Sequence, residues 1–404
     1  MNLIKKLISI ILISLFFVEN KSYDLTIVGQ LDFIGSIARI PIGIIDCLKD
    51  DIKINFIPTS IYNLRNLPEN IKEIIVNKDK SPGNVVLLTD INYLWLKGKH
   101  DKSIPNGLIK IAYSMLESSR IPQVWVNILN KLDAVVVPDH FLVDVYEKSG
   151  VTVPVFVLPL GMYMGDFYKK NKPKKINQNF IFGCSAGDWD RKNLDLVVDA
   201  FCQAFGKSSK VYLRIHSRFL DNKIKSKLKK INYKNIELIE EGLIQNKYIE
   251  FLSSLDCYVL LSKGEGFSIT PRESLALGIP CIISNNTAHK TICDSGFVLG
   301  VKSQIEEPAF NNLFKQFCGY QYNCQLSDAV AALKEVYNNY QFYWAKAQKG
   351  KNWVKQYDWP NLKNKYLALL KPKKVILGKE NIILNDCIIT NSKDLYHKYM
   401  NIIS

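Results

Sequence analysis

Two carboxylates stand eight positions apart in Ser262-Lys-Gly-Glu265-Gly-Phe-Ser-Ile-Thr-Pro-Arg-Glu273-Ser-Leu-Ala-Leu-Gly-Ile-Pro280. The pattern reads as a strand ending near Leu261, a glycine-bearing loop, and a helix opening at Pro271. In that reading Thr270 is the N-cap, Pro271 is the first helical residue and Glu273 the third. Gly278 closes the helix. Amides in a glycine loop at a helix start bind phosphate, and carboxylates in the loop and the first turn can face one ligand. Each also has a plainer reading. Thr-x-x-Glu is a capping box, worth about 1 kcal/mol, and Glu265 would then be a solvated loop carboxylate.

A second group with chemistry to offer is Gly183-Cys-Ser-Ala-Gly187-Asp-Trp-Asp-Arg191-Lys192-Asn193, between a strand and a helix. Two cations at a helix start oppose the macrodipole, which prefers anions there. An anion held between Arg191, Lys192 and the amide ends would resolve the conflict; Asp188 and Asp190 as local counter-ions would also resolve it. Asp188-Trp-Asp190 has the form of a metal-binding pair, but two adjacent cations make it a poor one. The expectation is no metal and no cofactor.

These loops need a scaffold that repeats strand, loop and helix. Leu25–Gly29 reads as a buried strand, followed by a loop carrying Gly35 and an apolar helix through about Ile45. Further strands are expected at 53–57, 85–89, 134–137 and 155–159, with helices at 124–132 and 141–148. The pattern lapses from Gly161 to Asn179 and resumes with strands at 180–182, 211–216, 236–239, 257–261 and 280–284. Leu194, Val197, Val198, Phe201 and Phe205 share one helical face. Alternation at this spacing predicts parallel sheets covered on both faces. The organisation expected is a segment 1–22, an N-terminal domain 23–165, a C-terminal domain 178–350, a helix 351–371 returning to the first domain, and an appended tail 372–404.

With 404 residues, 47% apolar and 23% charged, the chain is globular and long enough for two domains. Its formal charge is +15, and residues 164–235 hold seventeen Lys or Arg against six Asp. An anionic partner would fit such a balance: phosphate of a small ligand or an anionic membrane surface. Nucleic acid is disfavoured, because the Lys-rich helix 223–230 carries no interleaved aromatics. A solvated lysine surface is the plain alternative. Nine scattered cysteines include no C-x-x-C pair, which suits a reducing compartment. Lys5 and Lys6 before the apolar run Leu7–Val18 have the layout of a signal peptide or of a segment lying on a membrane. The chain is therefore expected in the cytoplasm or at a membrane face, with export as the alternative.

The Glu-x7-Glu segment followed by Ser-Leu-Ala-Leu-Gly-Ile-Pro resembles the signature of glycosyltransferase family 4. Asp190-Arg-Lys-Asn-Leu-Asp-Leu-Val-Val-Asp-Ala-Phe is similar to that family's phosphate-side motif. Val137-Pro-Asp-His-Phe and Leu158-Pro-Leu-Gly161 resemble its domain-crossing segment. The resemblance is dense over residues 130–300. It implies a GT-B fold, two Rossmann-like doubly wound domains facing across a cleft, and transfer of a sugar from a nucleotide-diphosphate sugar. Retention of configuration without a metal is implied as well. On the same grounds Glu273 binds the donor ribose, Glu265 lies beside the transferred sugar, and Lys192 neutralises the diphosphate. Arg191 and the amides of Gly266, Phe267 and Ser268 complete the cradle. Gly35 and Glu117 are candidates on the N-terminal side, against an ordinary turn and a solvated helix end; His140 and His289 read as structural or exposed. The family's usual Arg before the Lys is missing between Cys184 and Asp190, with Arg191 or Arg272 as substitutes. The acceptor (glycan, lipid or protein) is not named by any motif. A catalytically silent binding protein of the same fold is the competing reading.

Overall fold

The computed structural model describes residues 23–31, 39–59, 69–76, 82–92, 104–107, 109–170, 179–187, 190–218, 220, 222–311, 313, 315–371, 375–377, 381–384 and 387–390. By contacts the chain forms two compact units, 1–111 with 370–372, and 112–369 with 373–404. The division falls inside one strand rather than at the lapse after Gly161.

The first unit is a parallel sheet. Strands β1 (Leu25–Gly29), β2 (Ile54–Pro58) and β3 (Val85–Leu88) lie in the order β2-β1-β3, with Leu25 facing Ile54 on one side and Val85 on the other. β4 (Ile109–Tyr113) continues the order and carries the division between its third and fourth residues. Helices α1 (Arg39–Leu48) and α2 (Glu69–Val76) are amphipathic. Every residue of β1 and β3 is buried, as a parallel sheet between two layers requires.

In the second unit, β4 leads to β5 (Ala134–Val137) and β6 (Val155–Val157), with α3 (Gln123–Leu129), α4 (Phe141–Ser149) and the short α5 (Gly165–Lys169). A seven-stranded sheet follows. Its strands are β7 (Phe180–Ser185), β8 (Val211–His216), β9 (Ile236–Ile239), β10 (Cys257–Leu260), β11 (Cys281–Asn285), β12 (Leu299–Phe310) and β13 (Phe317–Cys324), in the order β13-β12-β11-β10-β7-β8-β9. All pairs are parallel except β12 with β13, a long antiparallel hairpin with two register shifts. The covering helices are α6 (Leu194–Phe205), α7 (Asn222–Ile231), α8 (Gln245–Ser253), α9 (Ile269–Ala276), α10 (Thr287–Asp294), α11 (Leu326–Asn338), α12 (Tyr340–Val354) and α13 (Trp359–Leu370). Phe180, Phe182, Val198, Phe201, Val211 and Leu213 centre its core.

The order β10-β7-β8 reverses direction at β7. In such sheets ligands bind beyond the carboxyl ends of the strands flanking the reversal. The loops in question follow β7 and β10, and they hold Arg191–Lys192 and Glu265. The fold therefore aims both motifs of the sequence at one place.

Residues 159–164 are held by Tyr357 and by α13, the last helix among the described residues. The ring of Trp359 covers Gly161 so closely that an added Cβ would lie 2.3 Å from it. Tyr366 donates to the Pro159 carbonyl at 2.9 Å, and the Met162 amide donates to Tyr357 O at 2.8 Å. In the tail, 375–377, 381–384 and 387–390 form a three-stranded antiparallel sheet. The signal-like residues 1–22 lie outside the described residues. Among the described residues no helix is long and apolar enough to cross a membrane, and the eight cysteines whose side chains are described form no disulfide with one another.

Candidate active site

The loop after β7 ends in a single 3-10 turn, 190–192, before α6. Asn193 caps that turn in the left-handed region (φ 55°), and its side-chain Nδ2 donates to the Leu261 carbonyl at 3.1 Å and to Asn323 Oδ1 at 2.8 Å. The Arg191 carbonyl accepts from the Lys263 amide at 2.8 Å and from Ser262 Oγ at 3.0 Å. These bonds lock the two loops together without using the side chains of 191 and 192, which are left to face Glu265.

They meet there in a compact charge cluster. Lys192 Nζ donates to Glu265 Oε1 at 2.7 Å, and Arg191 Nη1 lies 3.1 Å from the same oxygen. Arg191 Nη1 also donates to the Gly264 carbonyl at 2.6 Å, and Nη2 lies 3.1 Å from Glu117 Oε1. Only 6% of the Glu265 side chain is exposed. Burial alone would raise its pKa, but Lys192, Arg191 and His289 outweigh burial and hold it far below the ordinary carboxylate range. Burial pulls Lys192 below the usual lysine value, with Glu265 opposing. For Arg191 the two carboxylates outweigh burial and push its pKa up. Glu265 is thus ionised, and the solvated-loop reading is overturned. The loop folds inward because Thr287 Oγ1 accepts from the Glu265 amide at 2.8 Å and the Ala288 amide donates back to Glu265 O at 3.2 Å.

Glu117 takes a place that its sequence context did not favour. Residues 117–120 form bends, and helix α3 begins only at Gln123, so it is not a helix end. Gly264 packs on it so tightly that a Cβ would lie 2.0 Å from the Glu117 carbonyl. Beside the cluster, Lys263 Nζ is shared by Asp190 Oδ2 (2.8 Å) and Glu307 Oε2 (2.7 Å). Asp190 is therefore a lysine's counter-ion. Asp188 and Gly35 lie outside the described residues.

The helix after the loop differs from the expectation. α9 begins at Ile269, with Ser268 as N-cap, so Thr270 is inside the helix. Pro271 sits at the third position, where its missing N–H costs no intrahelical bond. Glu273 then falls at the fifth, and no capping box forms. Its Oε2 accepts from the Tyr248 hydroxyl at 2.9 Å. The far end follows expectation: Gly278 (φ 72°) closes α9, its amide donating to Leu275 O and the Ile279 amide to Ser274 O.

Arg272 is not presented to the loops' open face. It is fully buried, donates to the carbonyls of Phe267 and Ser268, and stacks on Phe267 (3.9 Å) and Tyr357 (4.5 Å). Asp139 Oδ2 lies 3.7 Å away. Of the two substitutes for the missing Arg, only Arg191 joins Lys192 at Glu265.

The basic helix α7 carries its own acids. Lys223 and Lys227 pair with Asp195, Lys227 also with Asp199, and Lys225 with Glu240. For these lysines the solvated-surface reading is the one the geometry favours.

The family profile described as Glycosyl transferases group 1 matches residues 166–309. No curated protein matches the chain by sequence. Among solved structures, HepE from Anabaena in complex with UDP and glucose is similar at a TM-score of 0.62 and 11% identity. That match covers 86% of this chain and 99% of HepE. Sucrose-phosphate synthase from Thermosynechococcus elongatus matches at 0.63 and 11%, over 85% of this chain and 97% of that one. TarM from S. aureus, solved with UDP, alpha-GlcNAc-glycerol and Fondaparinux, matches at 0.55 and 14%, over 71% of this chain and 55% of TarM. At these identities the likeness is one of fold, and the fold is GT-B.

Proposed function

We propose, from the premise that this chain is a group 1 glycosyltransferase of GT-B fold, that it transfers a sugar from a nucleotide-diphosphate sugar. The observation that carries the reading is the cluster of Lys192 and Arg191 on Glu265 at the sheet's reversal point. Two cations beside a buried carboxylate and a helix start suit a group that gains negative charge as its bond to a sugar breaks. A departing nucleoside diphosphate is such a group, and preorganised charge stabilises it without reorientation.

In this reading Lys192 and Arg191 bind the diphosphate, and Arg191 fills the role of the absent Arg. The amides of Gly266, Phe267 and Ser268 bind phosphate oxygens. Glu273, on the first turns of α9, accepts from the ribose hydroxyls in place of Tyr248. Glu265 stays ionised beside the transferred sugar and offsets positive charge developing at its anomeric carbon. Glu117 holds Arg191 in place. Transfer proceeds with retention and without a metal, the two cations serving as the counter-charge. Like HepE and TarM, whose structures hold UDP, this chain would take a nucleotide of that class. A glycan, lipid or protein hydroxyl is the acceptor.

Thermal shift with UDP, GDP, ADP and their sugars, on the wild type and Glu273→Ala in parallel, tests this. One nucleotide is expected to raise the melting temperature of the wild type and not of the variant. No shift with any of them, from folded protein, would favour a catalytically silent protein of this fold, the reading to which the absence of an Arg between Cys184 and Asp190 lends support.

A further inference from the structure

His289 lies on the first turn of α10, fully buried, with a hydroxyl on each ring nitrogen. Ser268 Oγ is 2.7 Å from Nε2 and Ser284 Oγ is 3.0 Å from Nδ1. The proton positions follow from the partners. Ser284 spends its single hydroxyl proton on the Ser262 carbonyl, so towards His289 it can only accept. Nδ1 must then carry the ring proton. In the neutral ring Nε2 is an acceptor, and the Ser268 hydroxyl donates to it.

Ser268 is the point at which the loop turns into α9. Its backbone is left-handed (φ 64°, ψ 82°), a region unfavourable for a residue with a side chain. Something must hold it there. Arg272 holds the carbonyls of Phe267 and Ser268, and His289 holds the hydroxyl. The two residues before His289 grip the other end of the loop, through Thr287 Oγ1 and the Ala288 amide on Glu265.

We infer that the opening turn of α10 is a clamp on the loop Glu265–Ser268, with His289 as its neutral acceptor and positioning residue. The clamp gives Glu265 and the amides after it one fixed geometry; its bearing on sugar transfer rests on the function proposed above. Protonating His289 would turn Nε2 into a donor and reverse the Ser268 bond, so that the hydroxyl would have to accept. The charged groups around the ring are Glu265 on the loop, Lys192 before α6 and Arg272 on α9. Burial, with Lys192 and Arg272, keeps the ring neutral, its pKa lowered to about 4 against the pull of Glu265.

Nitrogen-15 NMR of histidine-labelled protein reads the tautomer directly. His289 is expected with its proton on Nδ1, unchanged between about pH 8 and pH 5.5. A proton on Nε2, or titration above about pH 6, would overturn the proposal. Amide exchange reads the clamp in ligand-free protein. His289→Leu is expected to speed exchange at Gly266, Phe267 and Ser268 about tenfold or more, as loss of one buried hydrogen bond would. His289→Gln, whose Oε1 can replace Nε2 as acceptor, should restore slow exchange. Should His289→Leu fail to fold, Ser268→Ala breaks the same bond from its other side. Exchange unchanged in both His289→Leu and Ser268→Ala overturns the clamp. If no nucleotide binds the wild type while these results hold, the proposed function fails and the clamp stands.

Discussion

Two groups of cations lie within one domain and are balanced in different ways. On α7, Lys223 and its neighbours pair with Asp195, Asp199 and Glu240 at the surface, with 73% of the Lys223 side chain exposed. Between β7 and β10, Lys192 and Arg191 share one oxygen of Glu265, of which 6% is exposed. Surface pairs hold long side chains at little net gain. Buried charge is expensive to assemble, and a hydrophobic replacement is often as stable. These charges on α7 are balanced pair by pair at the surface. Those around Glu265 call for another explanation, and the proposed binding of a diphosphate leaving group would supply it.

The most severe way to break this contrast is Lys192→Met. It removes one of the two cations from the proposed diphosphate site, and turnover is expected to fall about 10²-fold or more, the scale of losing one preorganised charge. Rate measurements with the donor found by thermal shift check it. Gly264→Ala comes next. Its Cβ would meet the Glu117 carbonyl at 2.0 Å, and such overpacking costs about 1–3 kcal/mol. Denaturant melts should show that loss together with weaker nucleotide binding.

Acid sharpens the comparison further. The Glu265 pKa is depressed on folding, so the unfolded chain binds the extra proton. Its stabilising contribution is complete above the unfolded value of about 4.3 and is lost as pH falls below it. His289, also depressed, acts at higher pH: the unfolded chain gains its proton from about 6.5 downward, and the folded one only near about 4. Wild type should therefore lose stability between pH 7 and pH 5, and His289→Gln should lose less, by urea denaturation at both pH values. Below about pH 4.3, where the folded His289 also takes up its proton, Glu265 should carry the decline onward in wild type, and the decline should flatten in Glu265→Gln. The smallest effect belongs to α7: Lys223→Ala should change stability by less than about 1 kcal/mol and leave nucleotide affinity unchanged.

The strands of the fold were legible where burial on both faces produces unbroken apolar runs. Leu25–Gly29 and Ala134–Val137 are found at the expected positions. The strand Ile109–Tyr113 and the hairpin Leu299–Cys324 escaped notice. The hairpin's exposed face carries Lys302, Glu306 and Gln304, and the register shifts spoil the two-residue alternation that would have marked it. At the site, Lys192, Glu265 and Glu273 were legible because fixed spacing around a loop and helix start leaves a mark in sequence. Glu117 was a candidate against a solvated helix end, but its contact was not legible, since its partner Arg191 is 74 residues away in the chain and no local pattern records it. His289 read as structural, and its burial agrees; its two hydroxyl partners lie 21 and 5 residues away and are visible only in three dimensions. The misplaced helix start has a local cause: Ser268 adopts the left-handed backbone, so α9 opens two residues before Pro271.

The central claim is that the cluster on Glu265 is a diphosphate site. Calorimetric titration of UDP, GDP and ADP into wild type and Lys192→Met tests it most directly. The account predicts binding of one of them to wild type, weakened about tenfold or more in the variant, as loss of a charged contact of about 1.5–3 kcal/mol requires. Equal affinity in both proteins would contradict it, because Lys192 would then have no part in holding the nucleotide.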